Sequence, residues 1–264
     1  MSSPQNLFSL TGRTALVTGG AGPLGSVLAD ALAAQGADVI ISDISEQACQ
    51  EVAAGLHDRH GVAARGISSN LLEPDGTLKL VEAIDGPLDI LVNNAAFTGT
   101  SGVPGYAVPF EEQTDEAFEL ASSLNLRAPF SLARQLAPKL AASAGASIIN
   151  VSSIYGIVAP NMGLYEGTRM GNPAAYGATK GGIVQLTRYL STVLAPRIRV
   201  NAFAPGGIAR GQDSAFTERY EKLTPLGRMA TEDDFRGVVA WLASDASRYV
   251  TGQTIAVDGG WSAW

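Results

Sequence analysis

The stretch TGGAGPLG at residues 18–25 overlaps the end of a β-forming run, RTALVTG (13–19), and leads into an apolar helical stripe that starts at Val27. Strand, glycine-rich turn and helix therefore follow one another. Glycine lets the backbone turn sharply and approach a ligand closely, while the free N–H groups at the helix start attract a pyrophosphate. The stretch predicts the first β–α unit of a nucleotide-binding fold, although such turns also occur as ordinary strand–helix connections.

Short runs of β-forming residues alternate with helical stretches along the whole chain. Several runs are apolar at successive positions, which is typical of strands covered on both faces of a parallel sheet. The pattern predicts an α/β protein with a three-layer, Rossmann-type, doubly wound fold and a seven-stranded parallel sheet. The runs are RTALVTG (13–19), ADVIISD (37–43), VAARGIS (62–68), LDILVNN (88–94), ASIINVSS (146–153), IRVNAFAP (198–205) and QTIAVDG (253–259).

The chain has 264 residues and no Pro/Ser linker, low-complexity tract or repeat, so we predict one catalytic domain over residues 1–264. Two irregular excursions, 154–172 and 206–224, interrupt the alternation and are expected to shape the substrate site. Apolar residues at helical spacing indicate core faces. These are Val27, Leu28, Ala31 and Leu32 in one stripe, and Ile183, Leu186, Leu190, Val193 and Leu194 in another.

The overall charge and the ends of the chain bear on partners and compartment. A net charge of −7 and the lack of a Lys/Arg run argue against nucleic acid as a partner. The N-terminus, MSSPQNLFSLTGR, lacks a basic start followed by an apolar run, and no segment approaches the ~18 apolar residues of a membrane span. We therefore expect a cytoplasmic protein that binds neither nucleic acid nor membrane.

Metal chemistry has no support in the residue types. Cys49 is the single cysteine, so neither an internal disulfide nor a thiolate metal site is expected. The two histidines, His57 and His60, lie in the polar stretch LHDRHG and are predicted to be solvated residues at a helix end.

Asp43 ends the second strand, about twenty residues beyond the glycine-rich turn, where a carboxylate accepts hydrogen bonds from both ribose hydroxyls of an adenosine. A carboxylate there repels a 2′-phosphate, and no Lys or Arg lies in the turn or directly after Asp43. The sequence therefore predicts NAD as the cofactor in preference to NADP. The alternative is that Asp43 only caps a helix or braces a turn.

The pair Asn172-Pro173 predicts a helix N-cap followed by proline at the first helical position, with a helix that runs to about Ala195. Tyr176 and Lys180 would then share one face of this helix, one turn apart. A tyrosine with the ordinary pKa of ~10 is a poor base, and a neighbouring cation favours the tyrosinate. Tyr-x-x-x-Lys alone also occurs as a surface pair, but Ser152 and Ser153 end the fifth strand on the same rim.

Together these segments closely resemble the short-chain dehydrogenase/reductase family, in its branch of single-domain members of about 250 residues. The resemblance spans nearly the whole chain. It rests on TGGAGPLG (18–25), Asp43, NNAA (93–96), LNLRAPF (124–130), NVSS (150–153), YGATK (176–180), RVNAFAPG (199–206) and LASDASRYVTGQTIAVDGG (242–260).

The resemblance implies a NAD-dependent oxidoreductase that acts on CH–OH groups or ketones, with four catalytic residues. Tyr176 would be the acid/base, and Ser153, three residues before Gly156, would hold the substrate oxygen. Lys180 would bind the nicotinamide ribose and lower the tyrosine pKa, and Asn125 would hold a water in the proton relay. The implied cofactor contacts are Gly19, Gly22, Leu24, Asp43, Asn70, Leu71, Asn93, Ala95, Tyr176, Lys180, Pro205, Gly206 and Ile208, with Asn93 also bracing the sheet centre.

Three features depart from the family pattern. Pro23 replaces a glycine of the turn, Arg210 stands where a cofactor-contacting threonine is usual, and the insertion 156–172 lengthens the spacing from serine to tyrosine. The resemblance also implies a homotetramer. The apolar tail WSAW (261–264) would make a buried contact with a partner or with its own subunit.

The substrate is expected to be a polar small molecule, because both excursions are polar. The predicted substrate residues are Ser153, Tyr165, Glu166, Arg169 and Arg210. The loop residues among them could instead be merely solvated. Four segments, TGGAGPLG (18–25), the insertion with LYEGT (164–168), TPLGRMA (224–230) and the ending VDGGWSAW (257–264), are together similar to oxidoreductases of nonulosonic (legionaminic-type) acid and flagellin-glycan pathways. This resemblance implies a sugar or sugar derivative as the substrate. The alternatives are a 3-oxoacyl-thioester reductase of the same fold, which would use NADPH, and a non-catalytic NAD-binding protein.

Overall fold

Seven parallel strands form the central sheet of the computed structural model, which describes residues 7–99 and 101–264. Residues 1–6, which open the segment considered for a targeting signal, lie outside the described residues. The strand order is β3-β2-β1-β4-β5-β6-β7, and all seven predicted strands and the fold class are confirmed. The strands are β1 Thr14–Thr18, β2 Asp38–Asp43, β3 Ala64–Ser68, β4 Ile90–Asn93, β5 Ala146–Val151, β6 Ile198–Pro205 and β7 Thr254–Val257.

Helices cover both faces of this sheet, as the three-layer prediction requires. They are α1 Pro23–Ala34, α2 Glu46–His60, α3 Gly76–Glu82, α4 Asp115–Ser122, α5 Ala128–Ala141, α6 Ala174–Val193, α7 Ser214–Leu223 and α8 Arg236–Ala243. Helices α1, α2 and α8 share one core cluster with the sheet, and α3, α5 and α6 share a second with its other face. The chain order reverses between β1 and β4, so a crevice opens at their carboxyl ends.

Helix α6 differs from its prediction at both ends. It begins at Ala174, one residue late, and ends at Val193 rather than near Ala195. The Ala174 N–H donates to Oε1 of Gln113 at 2.9 Å, whereas the side chain of Asn172 donates to the hydroxyl of Tyr165 at 3.4 Å. A side chain distant in sequence thus replaces the predicted Asn172 cap. Val193, predicted to face the core, is 52% exposed.

The excursion 206–224 is not irregular throughout, because it contains α7. Asp213 caps this helix by accepting a hydrogen bond from the Ala215 N–H at 2.8 Å. Phe216 and Tyr220, one turn apart, are both buried. The excursion 154–172, all of it described, contains the short 3-10 turns Ile154–Gly156 and Met162–Leu164.

The prediction that His60 is a solvated residue is wrong, because its side chain is paired with Asp30. Its Nε2 lies 2.8 Å from Oδ1 of Asp30 on α1, and its side chain is 21% exposed. Asp30 also pairs with Arg59 of α2 at 2.9 Å and with Arg236 of α8. This carboxylate therefore joins three helices of one layer. His57 stays exposed in the last turn of α2.

Within residues 7–99 and 101–264, no helix is long and apolar enough to cross a membrane. In the same ranges no group of three or more His, Cys, Asp or Glu side chains could hold a metal ion. Cys49 is a free cysteine on the buried face of α2, where it belongs to a core cluster.

Candidate active site

A cavity of about 1190 Å³ opens at the carboxyl ends of the strands and extends from the end of β2 to the segments after β5 and β6. Typical small-molecule pockets measure ~300–1,000 Å³, so this one has room for a dinucleotide beside a small substrate. Of the predicted cofactor residues, twelve line it: Gly19, Gly22, Leu24, Asp43, Asn70, Leu71, Ala95, Tyr176, Lys180, Pro205, Gly206 and Ile208.

The glycine-rich turn is packed too closely for side chains. A Cβ at Gly19, whose φ is +60°, would lie 2.9 Å from Cα of Ala95, and a Cβ at Gly25 would lie 2.0 Å from the Gly19 oxygen. Pro23 is the first residue of α1, and Gly22 is its N-cap. The N–H that proline lacks has no partner within the helix at this position, so the departure from the family pattern is compatible with the helix start. In the described chain no side chain caps this helix start, which leaves its N–H groups to a phosphate.

Asp43 lies directly beside this turn. Its carboxylate accepts hydrogen bonds from the backbone N–H of Ala21 at 3.1 Å and of Ile44 at 2.8 Å. Asp43 therefore braces the turn, as the alternative interpretation held. Each carboxylate oxygen has a second lone pair with which it could accept from a ribose hydroxyl.

Two neighbouring asparagines play different parts. Asn93 is buried in the sheet, where its amide donates to Oδ1 of Asn150 at 2.8 Å, and it does not line the cavity. Asn94, which is not among the predicted site residues, lines the cavity and donates to the carbonyls of Thr18 and Gly19, each at 3.0 Å. The sheet-bracing role of Asn93 agrees with the structure, whereas Asn94 shapes the turn. Asn94 could have been predicted as a site residue, because it is the second Asn of the NNAA segment.

The serine pair after β5 is also divided. Oγ of Ser152 donates to the carbonyl of Lys180 at 2.9 Å and so ties β5 to α6. Both serines line the cavity, and the Ser153 hydroxyl accepts from the Tyr155 N–H at 3.2 Å. A Cβ at Gly156 would lie 2.6 Å from the Lys180 oxygen, so glycine is needed where this turn meets α6. The Ser152 hydroxyl is therefore used to hold β5 against α6, whereas the Ser153 hydroxyl lies within hydrogen-bonding reach of Tyr176.

Tyr176 and Lys180 leave the same face of α6. Burial raises the pKa of Tyr176, and a hydrogen bond with Ser153 and the charge of Arg210 oppose that rise. Burial lowers the pKa of Lys180 to about 8. Tyr176 is therefore a phenol at neutral pH in the protein alone, and it can donate a proton to an oxygen bound beside Ser153.

Asn125 lies in a π-helical turn, Ser123–Arg127, that joins α4 to α5. Its Oδ1 accepts from the Phe97 N–H at 2.8 Å, and its Nδ2 donates to the Phe97 carbonyl at 3.3 Å and to the Thr179 hydroxyl at 3.2 Å. The side chain is buried and does not line the cavity. It connects the loop after β4 to α6 through Thr179, which lies between Tyr176 and Lys180 in the sequence.

The predicted substrate residues are brought together except for Glu166. Tyr165, Arg169 and Arg210 line the cavity with Ser153, but Glu166 does not. Arg210 is paired with Glu232 at 2.8 Å. The aromatic lining residues Tyr155 and Phe216 were not predicted, because their segments lack a regular apolar pattern.

Comparison with known proteins finds full-length relatives. A family model described as enoyl-(acyl carrier protein) reductase matches residues 19–262. The 3-oxoacyl-(acyl-carrier-protein) reductase FabG of Aquifex aeolicus is 32% identical over 262 residues, 96% of this chain and 98% of the relative. Sorbose reductase sou1 of Schizosaccharomyces pombe is 31% identical over 267 residues, 97% of this chain and 98% of the relative.

The fold is likewise shared with solved structures. A gluconate 5-dehydrogenase from Burkholderia cenocepacia J2315, in complex with NADP and tartrate, has 31% sequence identity and a TM-score of 0.87. The similarity covers 99% of this chain and 100% of that one.

Proposed function

This chain belongs to the short-chain dehydrogenase/reductase family, and we propose that it transfers a hydride between NAD and a secondary alcohol or ketone of a sugar or sugar derivative. As a member it is a nicotinamide-dependent oxidoreductase that acts on CH–OH or keto groups. The observation that carries the proposed mechanism is that Ser153, Tyr176 and Lys180 line one cavity with the glycine-rich turn. We also propose that residues 1–264 form one catalytic domain, with 154–172 and 206–224 shaping its substrate site.

Tyr176 is the proposed acid/base. The nicotinamide, when bound, supplies or accepts the hydride at the reacting carbon. In ketone reduction Tyr176 gives its phenolic proton to the substrate oxygen, and in alcohol oxidation it takes that proton back. Ser153 holds this oxygen, and Lys180 binds the nicotinamide ribose. Asn125 is expected from the resemblance to hold a water. Its hydrogen bonds to Phe97 and Thr179 instead favour a structural role, in which it fixes the part of α6 next to Tyr176.

The proposed preference for NAD over NADP depends on this chain's own residues, since the gluconate 5-dehydrogenase relative was solved with NADP. Asp43 lines the cavity, and its charge would face a 2′-phosphate. The cations that line the cavity in the described chain are Arg169, Lys180 and Arg210, none of them from the glycine-rich turn or next to Asp43.

A sugar-like substrate is supported by the polar groups of the cavity and by the names of two relatives, a sorbose reductase and a gluconate 5-dehydrogenase. We propose Ser153, Tyr165, Arg169 and Arg210 as substrate contacts, without Glu166. The narrower link to nonulosonic acid and flagellin-glycan pathways is part of the same proposal and rests on the sequence segments alone.

A second candidate is a 3-oxoacyl-thioester reductase, which the relationship to the Aquifex aeolicus enzyme favours. That reaction would use NADPH and an acidic carrier protein, and the net charge of −7 and Asp43 disfavour both. A non-catalytic NAD-binding protein is the third, and the presence of both Tyr176 and Lys180 disfavours it.

We further propose that the enzyme is a cytoplasmic homotetramer. A shallow, mostly apolar groove lies between α5 and α6, lined in part by Leu126, Phe130 and Leu186. Tyr189 beside it is 57% exposed. The helices of a second copy would cover these side chains. Trp261 instead packs within its own subunit, where its ring stacks on Tyr220 at 4.3 Å.

The experiment that tests the function is a spectrophotometric screen of free sugars, aminosugars, nucleotide sugars and sugar acids, with NAD⁺ and NADP⁺ in parallel. Acetoacetyl-coenzyme A with NADH and NADPH forms the second arm. NAD⁺ reduction by a sugar is the expected result. Activity confined to the thioester with NADPH would replace the proposal by the second candidate.

A further inference from the structure

A third hydrophobic cluster lies outside the two sheet faces, between the insertion 156–172 and α7. Phe216 lies with its ring centre 5.3 Å from that of Tyr165 and 5.9 Å from that of Tyr220, and Trp261 stacks on Tyr220. Tyr155 packs against the same cluster. These five residues, Tyr155, Tyr165, Phe216, Tyr220 and Trp261, form what we call the aromatic wall, and all of them except Trp261 line the cavity.

One cation joins the two segments that carry this wall. Nη1 of Arg219 on α7 lies 2.6 Å from the carbonyl oxygen of Glu166, 3.2 Å from that of Leu164 and 3.4 Å from that of Gly163. These carbonyls end the short turn of the insertion, where backbone acceptors have no helical partner. A guanidinium satisfies several such acceptors at once, which fixes the insertion against α7.

The wall presents a pair of hydroxyls to the cavity. The hydroxyl oxygens of Tyr155 and Tyr165 are 3.0 Å apart, and Asn172 donates to that of Tyr165 at 3.4 Å. Burial strongly raises the pKa of Tyr155, so its phenol keeps its proton at neutral pH. Tyr155 and Tyr165 each carry one O–H group, and one of these two groups donates the hydrogen bond that joins the pair. The other has no acceptor among the described side chains and backbone, and it is available to a ligand oxygen.

We propose that Tyr165 is a specificity-determining residue and that Arg219 is the residue that positions it. The tyrosine pair donates a hydrogen bond to a substrate oxygen other than the reacting one. This inference rests on the proposed function and narrows its substrate to ketones and alcohols that carry a further oxygen near the reacting carbon, as in a polyol. The further oxygen is near the reacting carbon because Tyr165 lies close enough to Tyr176 to raise its pKa.

The first test concerns Arg219 and needs no substrate. Hydrogen–deuterium exchange is compared for the wild-type protein, Arg219→Met, Arg219→Lys and the control Lys222→Met, which removes an exposed cation from the same helix. Arg219→Met should speed exchange at least tenfold in residues 160–168, and Arg219→Lys should restore part of the protection. Exchange in 160–168 that is unchanged in Arg219→Met would overturn the positioning role.

The second test concerns Tyr165. Cyclohexanone and 2-hydroxycyclohexanone serve as probes of NADH oxidation, with Tyr165→Phe, which keeps the ring against Phe216, and the fully exposed Tyr249→Phe as the control. The wild-type enzyme should prefer the hydroxylated ketone. Tyr165→Phe should raise the KM for 2-hydroxycyclohexanone about tenfold with little change in kcat, as expected for one lost hydrogen bond. The kcat/KM for 2-hydroxycyclohexanone relative to that for cyclohexanone should therefore fall about tenfold in Tyr165→Phe and should keep the wild-type value in Tyr249→Phe.

A wild-type enzyme without preference for the hydroxylated ketone, or a Tyr165→Phe variant that keeps that preference, would overturn the assignment of Tyr165. The proposed function fails in a different way. In that case Tyr176→Phe would turn over substrates as fast as the wild-type enzyme, whatever happens at Tyr165.

Discussion

Nζ of Lys180 lies 5.7 Å from the centre of the Tyr176 ring, and its hydrogen bond goes to the carbonyl of Val151 at 2.8 Å. The ammonium is therefore held by β5 rather than by the phenol. In the protein alone Ser153 and Arg210, not Lys180, are the groups that lower the pKa of Tyr176. This division of roles leads to the first two predictions.

Cofactor affinity should depend on pH through Lys180. Because burial lowers the pKa of Lys180 to about 8, the side chain loses its positive charge as the pH rises through that value. The affinity for the anionic NADH should therefore fall as the pH rises past about 8. Fluorescence titration of NADH measures it. The Lys180→Met variant should bind more weakly and without this step, and a step that persists in the variant would exclude Lys180 as its cause.

The pH profile of alcohol oxidation should shift when Arg210 is replaced. Oxidation needs the tyrosinate, and the charge of Arg210 lowers the pKa of Tyr176. Arg210→Met should therefore move the rise of kcat/KM to higher pH. Arg169→Met is the matched control, because it removes a cation that lines the same cavity but is not among the groups that lower the pKa of Tyr176. Equal shifts in the two variants would contradict this account.

Cofactor choice should depend on the residues at the end of β2. Asp43→Ala removes the carboxylate that would repel a 2′-phosphate, and Ile44→Arg places a cation at a side chain that is 74% exposed. The double variant should lower the ratio of kcat/KM for NAD⁺ over NADP⁺ at least tenfold, about 1.4 kcal/mol. Ile44→Ala is the control. A wild-type enzyme that prefers NADP⁺ would show the NAD assignment to be wrong.

Much of this account could be predicted from the sequence, because its signals are local. The glycine-rich turn and the i, i+4 pair of Tyr176 and Lys180 each lie within one short segment. The central strands could be predicted because buried parallel strands are continuously apolar. The less buried β3 and β7 could be predicted from the alternation of strands and helices along the chain. Ser153 could be chosen over Ser152 only from the family pattern, and the structure shows the packing of Gly156 against α6 that underlies that pattern.

The features that could not be predicted depend on contacts between distant segments. Gln113 caps α6 across 61 residues, and Arg219 bonds the insertion across more than 50 residues. No periodicity encodes such pairs. Helix α7 was missed because its apolar face packs on the insertion instead of on the sheet, so its stripe is short.

Stability should depend on the carboxylate that joins α1, α2 and α8. Burial opposes ionisation of Asp30, but hydrogen bonds from Arg236, His60 and Arg59 lower its pKa to about 2. Its contribution is then fully present above pH ~4 and is lost as the pH falls through about 2. Asp30→Asn should lower the free energy of unfolding by about 1–2 kcal/mol at neutral pH, allowing for partial exposure.

Urea unfolding at several pH values measures this effect. The difference between Asp30→Asn and the wild-type protein should narrow below pH ~4 as the wild-type carboxylate gains its proton. Asp58→Asn, an exposed residue of α2, is the control and should be neutral. A difference that stays constant from neutral to acid pH would show that Asp30 acts by packing and not by charge.

The central claim is that Tyr176 transfers the proton in the hydride-transfer reaction, and the Tyr176→Phe variant tests it most directly. With the best substrate from the screen, kcat should fall at least a hundredfold, because the phenylalanine ring fills the same space without the hydroxyl. NADH affinity, measured by fluorescence, should stay within about twofold, because the other eleven predicted cofactor residues that line the cavity are unchanged. Turnover at the wild-type rate with normal NADH binding would contradict the account.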